Sequence, residues 1–496
     1  MATTAQAPSS SNGGLTKGKV KHYKMLIGGE WKDAKAGEII DSVNPATEEI
    51  IATFPHAREA DVELAVEAAK EGFNEWRTYS WVKRAKIMRE FAARMAERVE
   101  HFAVLDVMDQ GSPIGGMRGD AQGAPSEFYY FAGVSSELKG TTYEAPAGVV
   151  ASSYREPFGV VGRIIPFNHP YRFCAKVSPI IAAGNSVILK PAEATSLSSF
   201  DFGEMTLGLF PPGVINVVSG LGATTGAAIV RHPDVPRIAF TGGVPTGKAI
   251  AKEAAETMKR CSFELGGKNP MIVFPDVDVA KAAVGCVKGM NLARSMGQSC
   301  QSNSRVFVHE KIYDKFLEEL VKRVEALKVD DPMKEDTDMG ALAYEGHYKR
   351  VMSFIDSGKE QGARLMTGGR RPSKLNKGFF VEPTVFADVD MKMRIACEEI
   401  FGPVISVFKW NDWDDVIARA NSVKFGLTAN IWTNDLTMAH KTAKAVQSGL
   451  VWINGQGGRV PGSPFGGYKE SGMGKEGDLS DLLSYTQEKF VQVHLN

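Results

Sequence analysis

Apolar residues recur at helical spacing between residues 60 and 105: Val62, Leu64, Ala65, Ala68 and Ala69, then Ile87, Phe91, Met95 and Phe102. Positions three and four apart share one face of a helix, so this stretch predicts helices with one buried stripe. From residue 160 the cadence changes. Residues 160–165, 186–190, 214–218 and 237–241 are short β-rich runs, separated by stretches long enough for a helix each. That alternation predicts a parallel, helix-covered sheet. A second alternating region runs from Asn269 to about Val451, with apolar runs at 271–274, 305–308, 404–408 and 427–432. Segments 143–156 and 488–495 read as strands outside both sheets. No internal repeat or low-complexity linker interrupts the pattern.

At 496 residues the chain is too long for one ordinary core, so two or three domains are expected. Its 43% hydrophobic and 23% charged residues are those of a soluble globular protein. Lys plus Arg and Asp plus Glu both number 58, so no net field draws the chain to nucleic acid or an anionic membrane. The longest apolar stretches, such as 178–189, are broken by Pro, Gly and Asn and fall short of the roughly 18 residues that span a bilayer. Cys174, Cys261, Cys286, Cys300 and Cys397 lack the spacing of a disulfide framework or a zinc site and suit a reducing compartment. Residues 1–20, rich in Ser, Ala, Gly and Thr, read as a disordered tail without the apolar core of a secretory signal. The absence of acids before Glu30 fits a transit peptide, but the first arginine is Arg58, and such peptides are Arg-rich. A cytoplasmic location is expected.

Two motifs carry candidate chemistry. Gly297-Gln298-Ser299-Cys300 offers a thiol among small and polar neighbours, and Glu264-Leu265-Gly266-Gly267-Lys268 offers a carboxylate before a diglycine. That diglycine permits a tight turn, which would let the carboxylate swing towards or away from the reaction centre. A thiolate can attack an aldehyde carbonyl, and a carboxylate can activate the water that later releases the acyl group. Each motif alone is weak, since a free cysteine is more often a buried structural residue. Ile165-Pro166-Phe167-Asn168-His169-Pro170 adds an amide donor that suits an oxyanion, although an asparagine before proline is also an ordinary turn residue. No Gly-x-Gly-x-x-Gly fingerprint is present.

Together with Lys190-Pro191-Ala192-Glu193, Phe240-Thr241-Gly242-Gly243 and Glu399-Ile400-Phe401-Gly402-Pro403, these motifs resemble the aldehyde dehydrogenase superfamily from about Lys24 to the C-terminus. The resemblance implies an α/β fold with a Rossmann-like cofactor domain (21–136 and 157–266), an α/β catalytic domain (267–470) and a small β oligomerisation arm (137–156 and 471–496). It implies Cys300 as nucleophile, Glu264 as general base and Asn168 with the Cys300 N–H as oxyanion donors. Lys176 and Glu476 match positions of proton relay. Cofactor contacts are implied at Ile164, Ile165, Pro166, Phe167, Lys190, Pro191, Ala192, Glu193, Gly222, Gly226, Gly242, Gly243, Leu265, Gly266, Glu399 and Phe401. A carboxylate at Glu193 would repel a 2′-phosphate, which favours NAD over NADP. The family commonly has Ser where Gly243 stands and Glu where Pro245 stands, so altered cofactor affinity is expected rather than lost binding. Glu264 itself favours a free acid product, because relatives that pass the acyl group to coenzyme A generally lack it. A homodimer or homotetramer is implied, with the arm pairing onto another subunit.

Arg172, Arg294 and Arg459 stand where the family's substrate-tunnel residues are often aromatic or aliphatic, and His169 is expected in the pocket wall. An unpaired guanidinium in a closed pocket is expensive and usually faces an anion. The expected substrate is therefore a small anionic aldehyde, such as a semialdehyde of a short dicarboxylic acid or a sulfonated analogue. For each arginine the alternative is a pair with a protein acid or a surface position. An uncharged aromatic or aliphatic aldehyde is the rival, suggested by Tyr171, Phe173 and His169. A Cys thioester hydrolase or acyltransferase, and a non-catalytic relative, are the competing classes. The first leaves the nucleotide motifs unexplained, and the second leaves the intact Cys, Glu and Asn set unexplained.

Overall fold

The alternating β-rich runs from residue 160 form a parallel sheet in the computed structural model, which describes residues 20–495. Its central strands are β1 (Val160–Ile164), β2 (Ser186–Lys190), β3 (Ile215–Val217), β4 (Arg237–Thr241) and β5 (Arg260–Glu264). Every residue of β1 to β4 is buried, as helices on both faces of a parallel sheet require. The spatial order is β5-β4-β1-β2-β3, so the chain builds outward from β1 in one direction and then returns to build the other way from β4. Such a reversal leaves a crevice at the carboxyl ends of the strands beside the switch point. Register holds those ends level: Ile164 lies opposite Lys190 and Phe240, and Thr241 opposite Glu264.

The second sheet comprises β6 (Pro270–Val273), β7 (Arg305–His309), β8 (Thr384–Ala387), β9 (Val404–Trp410), β10 (Thr428–Trp432) and β11 (Leu450–Ile453). These run parallel in the order β8-β9-β7-β6-β10-β11, with Arg364–Thr367 antiparallel at the β8 edge. Segment 265–269 joins β5 of the first sheet directly to β6 of the second. The two sheets therefore meet at the residues that follow Glu264.

The helical stripe at 60–105 forms three helices, Glu59–Trp76, Trp81–Glu97 and Val99–Gln110. A longer helix, α1 (Ile114–Val134), was not legible from periodicity. It holds Pro125 and several glycines, which dilute both its apolar pattern and its intrinsic propensity. Packing against the neighbouring helices sustains it instead.

Val149–Pro157 pairs antiparallel along its whole length with Thr486–His494, and Thr142–Tyr143 completes a sheet separate from the other two. The segment expected as arm at 471–496 divides: Gly472–Met473 pairs with β5, whereas the strand opposite Val149–Pro157 begins at Thr486. The expected tail at 1–20 lies, but for Val20, outside the described residues. Among those residues no helix is long and apolar enough to cross a membrane.

One buried cation ties the second sheet to the junction. Arg305 on β7 is fully buried and donates from Nε to the Lys268 carbonyl (2.7 Å), from Nη1 to that of Arg419 (3.0 Å) and from Nη2 to that of Ala420 (2.8 Å). Arg305→Leu removes these donors and leaves three carbonyls to find other partners. We expect a loss of about 3 kcal/mol, read as a lower urea midpoint for the first unfolding transition. An unchanged midpoint would contradict this role.

Candidate active site

Cys300 sits in the loop between helix Leu292–Ser295 and β7. Left-handed backbone at Asn291 precedes that helix, and at Met296 and Gly297 it opens the loop. The Ser302 hydroxyl lies 3.0 Å from the Met290 carbonyl and 3.2 Å from that of Gly297, its one hydrogen shared between them, which ties the loop to both ends of the helix. Asn269 then fastens it to the sheet junction. Its Nδ2 donates to the carbonyls of Cys300 (2.8 Å) and Ser302 (2.9 Å), while its Oδ1 accepts from the Thr428 N–H (3.0 Å).

The diglycine works differently from the turn that its sequence suggests. Neither Gly266 nor Gly267 has a positive φ. Both are glycines because something lies against them. A methyl at Gly267 would overlap the Cys300 carbonyl, and one at Gly266 would overlap the Glu399 carboxylate. That carboxylate accepts from the Gly267 N–H at 2.7 Å.

Glu264, at the end of β5, is buried, its Oε1 has no hydrogen-bond partner among the described residues, and it lines the same cavity as Cys300. Burial pushes its pKa up to about 8, although the neighbouring Cys300 thiol acts in the opposite sense. The Cys300 thiol is also raised well above its ordinary value, by burial first and then by the neighbouring Glu264 charge. Asn168 lies in the turn after β1 and is buried. One of its Nδ2 hydrogens goes to the Gln298 carbonyl (2.9 Å), leaving the other free for a ligand. Gln298 is held in turn by the Ala343 N–H (3.1 Å) on its Oε1.

These groups line a cavity of about 700 Å³. Arg172, Arg294, Arg459 and His169, which come from distant segments, line it together, as do Lys176 and Glu476. For two of the arginines the alternative holds, and each pairs with a protein acid. Arg172 reaches Glu127 Oε1 at 3.4 Å, crossing the space left by Gly123, and Arg294 pairs with Asp120. His169 Nδ1 lies 2.6 Å from Asp120 Oδ2. Burial opposes ionisation of Asp120, but His169 and Arg294 hold its carboxyl below the usual range. Lys176 lies 3.2 Å from Glu127 and 4.0 Å from Glu476, and the buried Arg163 grips Glu476 at 2.8 Å. Only Arg459 makes no ion pair among the described residues; its guanidinium lies 4.4 Å from the Phe465 ring centre.

Asp120, Glu127, Arg163 and Asn269 were not anticipated. Asp120 and Glu127 stand two turns apart on α1 and share one face, a polar pair that an undetected helix concealed. Among the described residues no group of three or more His, Cys, Asp and Glu side chains is gathered as metal ligands.

The crevice of the first sheet suits a dinucleotide on its own chemistry. Lys190 is buried and donates to the Pro191 carbonyl (2.7 Å), 3.8 Å from the exposed Glu193 carboxylate, and Gly226 leaves 3.7 Å to the Lys190 stem. Ile164 to Phe167 and Ala192 continue β1 and β2 past the same edge, and Gly222–Gly226 forms a single π turn beside it. Gly242 and Gly243 lead into helix Val244–Ala255, whose Gly243 N-cap supplies no capping side chain, so the N–H groups of Val244 and Thr246 stay available to an anion, while Pro245 between them has none. At the other end of the crevice, Glu399 lies beside Leu265–Gly266, and Phe401 forms a flat wall. Phe401 holds φ +61°, with its carbonyl 2.7 Å from His347 Nε2 and its ring 5.6 Å from Phe167. Carboxylates for ribose hydroxyls, a helix terminus for pyrophosphate and a ring for a nicotinamide are all present.

A profile of the aldehyde dehydrogenase family matches residues 31–491. Hydroxyisobutyraldehyde dehydrogenase of Mycolicibacterium austroafricanum is 41% identical over 473 residues, covering 95% of this chain and 94% of the relative. Aldehyde dehydrogenase 1 of Tanacetum cinerariifolium is 42% identical over 478 residues, covering 95% of each. The NAD+ complex structure of an aldehyde dehydrogenase from Bacillus cereus is similar with a TM-score of 0.93 at 38% identity, covering 96% of this chain and 97% of that one.

The contact of Gly267 with the Cys300 carbonyl predicts a steep penalty for one methyl. Gly267→Ala should lower kcat by about 100-fold or more, since a shift near 1 Å at a reacting group has that effect. Circular dichroism should remain native. Near-normal turnover would show that the close approach is dispensable.

Proposed function

The chain belongs to the aldehyde dehydrogenase family, and from that premise we propose that Cys300, Glu264 and Asn168 convert an aldehyde to the free carboxylic acid. NAD-dependent aldehyde oxidation is its reaction. The convergence of Cys300, Glu264 and Asn168 on one cavity supports the residue assignment. Glu264 in its carboxylate form takes the thiol proton. The sulfur adds to the aldehyde carbon, and the oxyanion is held by the free Asn168 N–H and the Cys300 backbone N–H. NAD, held by Lys190, Glu193, Glu399 and Phe401, would supply the acceptor for the hydride that this carbon loses as the thioester forms on Cys300. Lys176 and Glu476 take the proton from Glu264 towards the cavity. Glu264 then removes a proton from water as the water attacks the thioester, and the thiol is regenerated as the acid leaves.

Lys190 and Glu193 hold the adenosine ribose in this reading, and Glu399 and Phe401 the nicotinamide end. The arm sheet joins copies of the chain into a homodimer or homotetramer. Exposed Tyr154, Phe490 and Val493 on its strands favour burial against a partner. Five free cysteines are in keeping with the reducing cytoplasm.

Only ionised Glu264 can act as base, and its pKa stands near 8. Deacylation should therefore accelerate as pH rises through about 8 and slow as pH falls below it. Glu264→Gln should abolish that dependence and release NADH in one burst, stoichiometric with sites, before slow turnover. Absence of the burst in a folded variant would place Glu264 before the redox step as well.

Deleting the chain from Glu488 onward should reduce the native mass measured by light scattering. An unchanged mass would contradict the role given to the arm.

A further inference from the structure

Arg172 and Arg294 are absorbed by the protein's own carboxylates, so they build the cavity wall. Arg459 is not. The nearby acids already have cations of their own: Glu127 faces both Arg172 and Lys176, and Glu476 faces Arg163 and Lys176. Arg459 adds a further cation near these acids and near Cys300. The stack on Phe465 occupies one face of the guanidinium and leaves its in-plane N–H fork for a planar anion. Four aromatic rings, those of Tyr130, Phe173, Trp452 and Phe465, stand in a lining that is otherwise largely polar and glycine. Gly462 lets the loop that carries Arg459 pack onto the Tyr130 ring. An aliphatic chain would make little use of these ring faces, whereas a flat ring matches them.

The geometry points to an aldehyde borne on an aromatic ring that also carries an anionic group, a carboxylate above all, with Arg459 as the residue that reads the anion. This substrate class rests on the aldehyde oxidation assigned above. Neither a neutral aromatic aldehyde nor an aliphatic semialdehyde uses both features of the wall.

The test compares kcat/KM from NADH formation for 3- and 4-carboxybenzaldehyde, benzaldehyde and succinic semialdehyde. The better carboxybenzaldehyde should exceed each of the other two by about tenfold or more, the scale of one charge-assisted hydrogen bond. In Arg459→Met the ratio of carboxybenzaldehyde to benzaldehyde should fall close to one, and Arg459→Lys should keep part of it. The ratio should also fall with added KCl in the native enzyme, a readout that needs no variant. Benzaldehyde or succinic semialdehyde turned over as well as the carboxybenzaldehydes would overturn the proposal and leave the reaction standing. A high ratio that survives Arg459→Met or is indifferent to salt would remove Arg459 from recognition. No NADH from any of the four aldehydes would overturn the reaction itself.

Discussion

Glu264 ends the last strand of one sheet, whereas Cys300 precedes a strand of the other, so nothing in local structure brings them together. Segment 265–269 does so through two contacts. Gly267 lets the Cys300 carbonyl lie against the backbone, and Asn269 grips that carbonyl and the one at Ser302 while holding β10. Arg305 braces the segment from below through the Lys268 carbonyl. The convergence of Cys300 and Glu264 on one cavity follows from how closely two sheets can approach, and a side chain larger than hydrogen at Gly267 would displace the Cys300 loop.

That approach sets the electrostatics as well. Taking an acid and a thiol out of water together favours the uncharged form of each, so Glu264 titrates near 8 and the Cys300 thiol higher still. A carboxyl with an ordinary pKa would be too weak a base to serve both thiol and water. Around this neutral pair the wall is arranged in the opposite sense, with Asp120, Glu127 and Glu476 kept ionised by adjacent cations against the cost of burial. Lys268, fully buried and pushed down to about 7 by burial and then by Arg305, shows how poorly this junction tolerates an unpaired charge.

Much of this was legible in the chain. The apolar runs at 160–165, 186–190 and 237–241 mark strands β1, β2 and β4, because fully buried parallel strands leave an uninterrupted hydrophobic signature. Cys300, Glu264 and Asn168 stood out through the motifs around them. Other features were hidden for identifiable reasons. Helix α1 owes its existence to packing, so Asp120 and Glu127 gave no periodic signal. The diglycine looks like a turn, yet it serves close approach, a distinction that lies in φ and in a partner 33 residues downstream of Gly267 in sequence. The three arginines could be gathered by resemblance, but only coordinates reveal that Glu127 and Asp120 satisfy two of them.

The central claim is that the acyl group passes through a bond to Cys300 and is released by Glu264. It is tested most directly by acid-quenching Glu264→Gln after one turnover with NAD and aldehyde, then weighing the peptides. The account predicts the acyl mass on the peptide containing Cys300, at a stoichiometry near one per site. An unmodified Cys300 peptide, or the acyl mass on Cys261 or Cys397 instead, would contradict it.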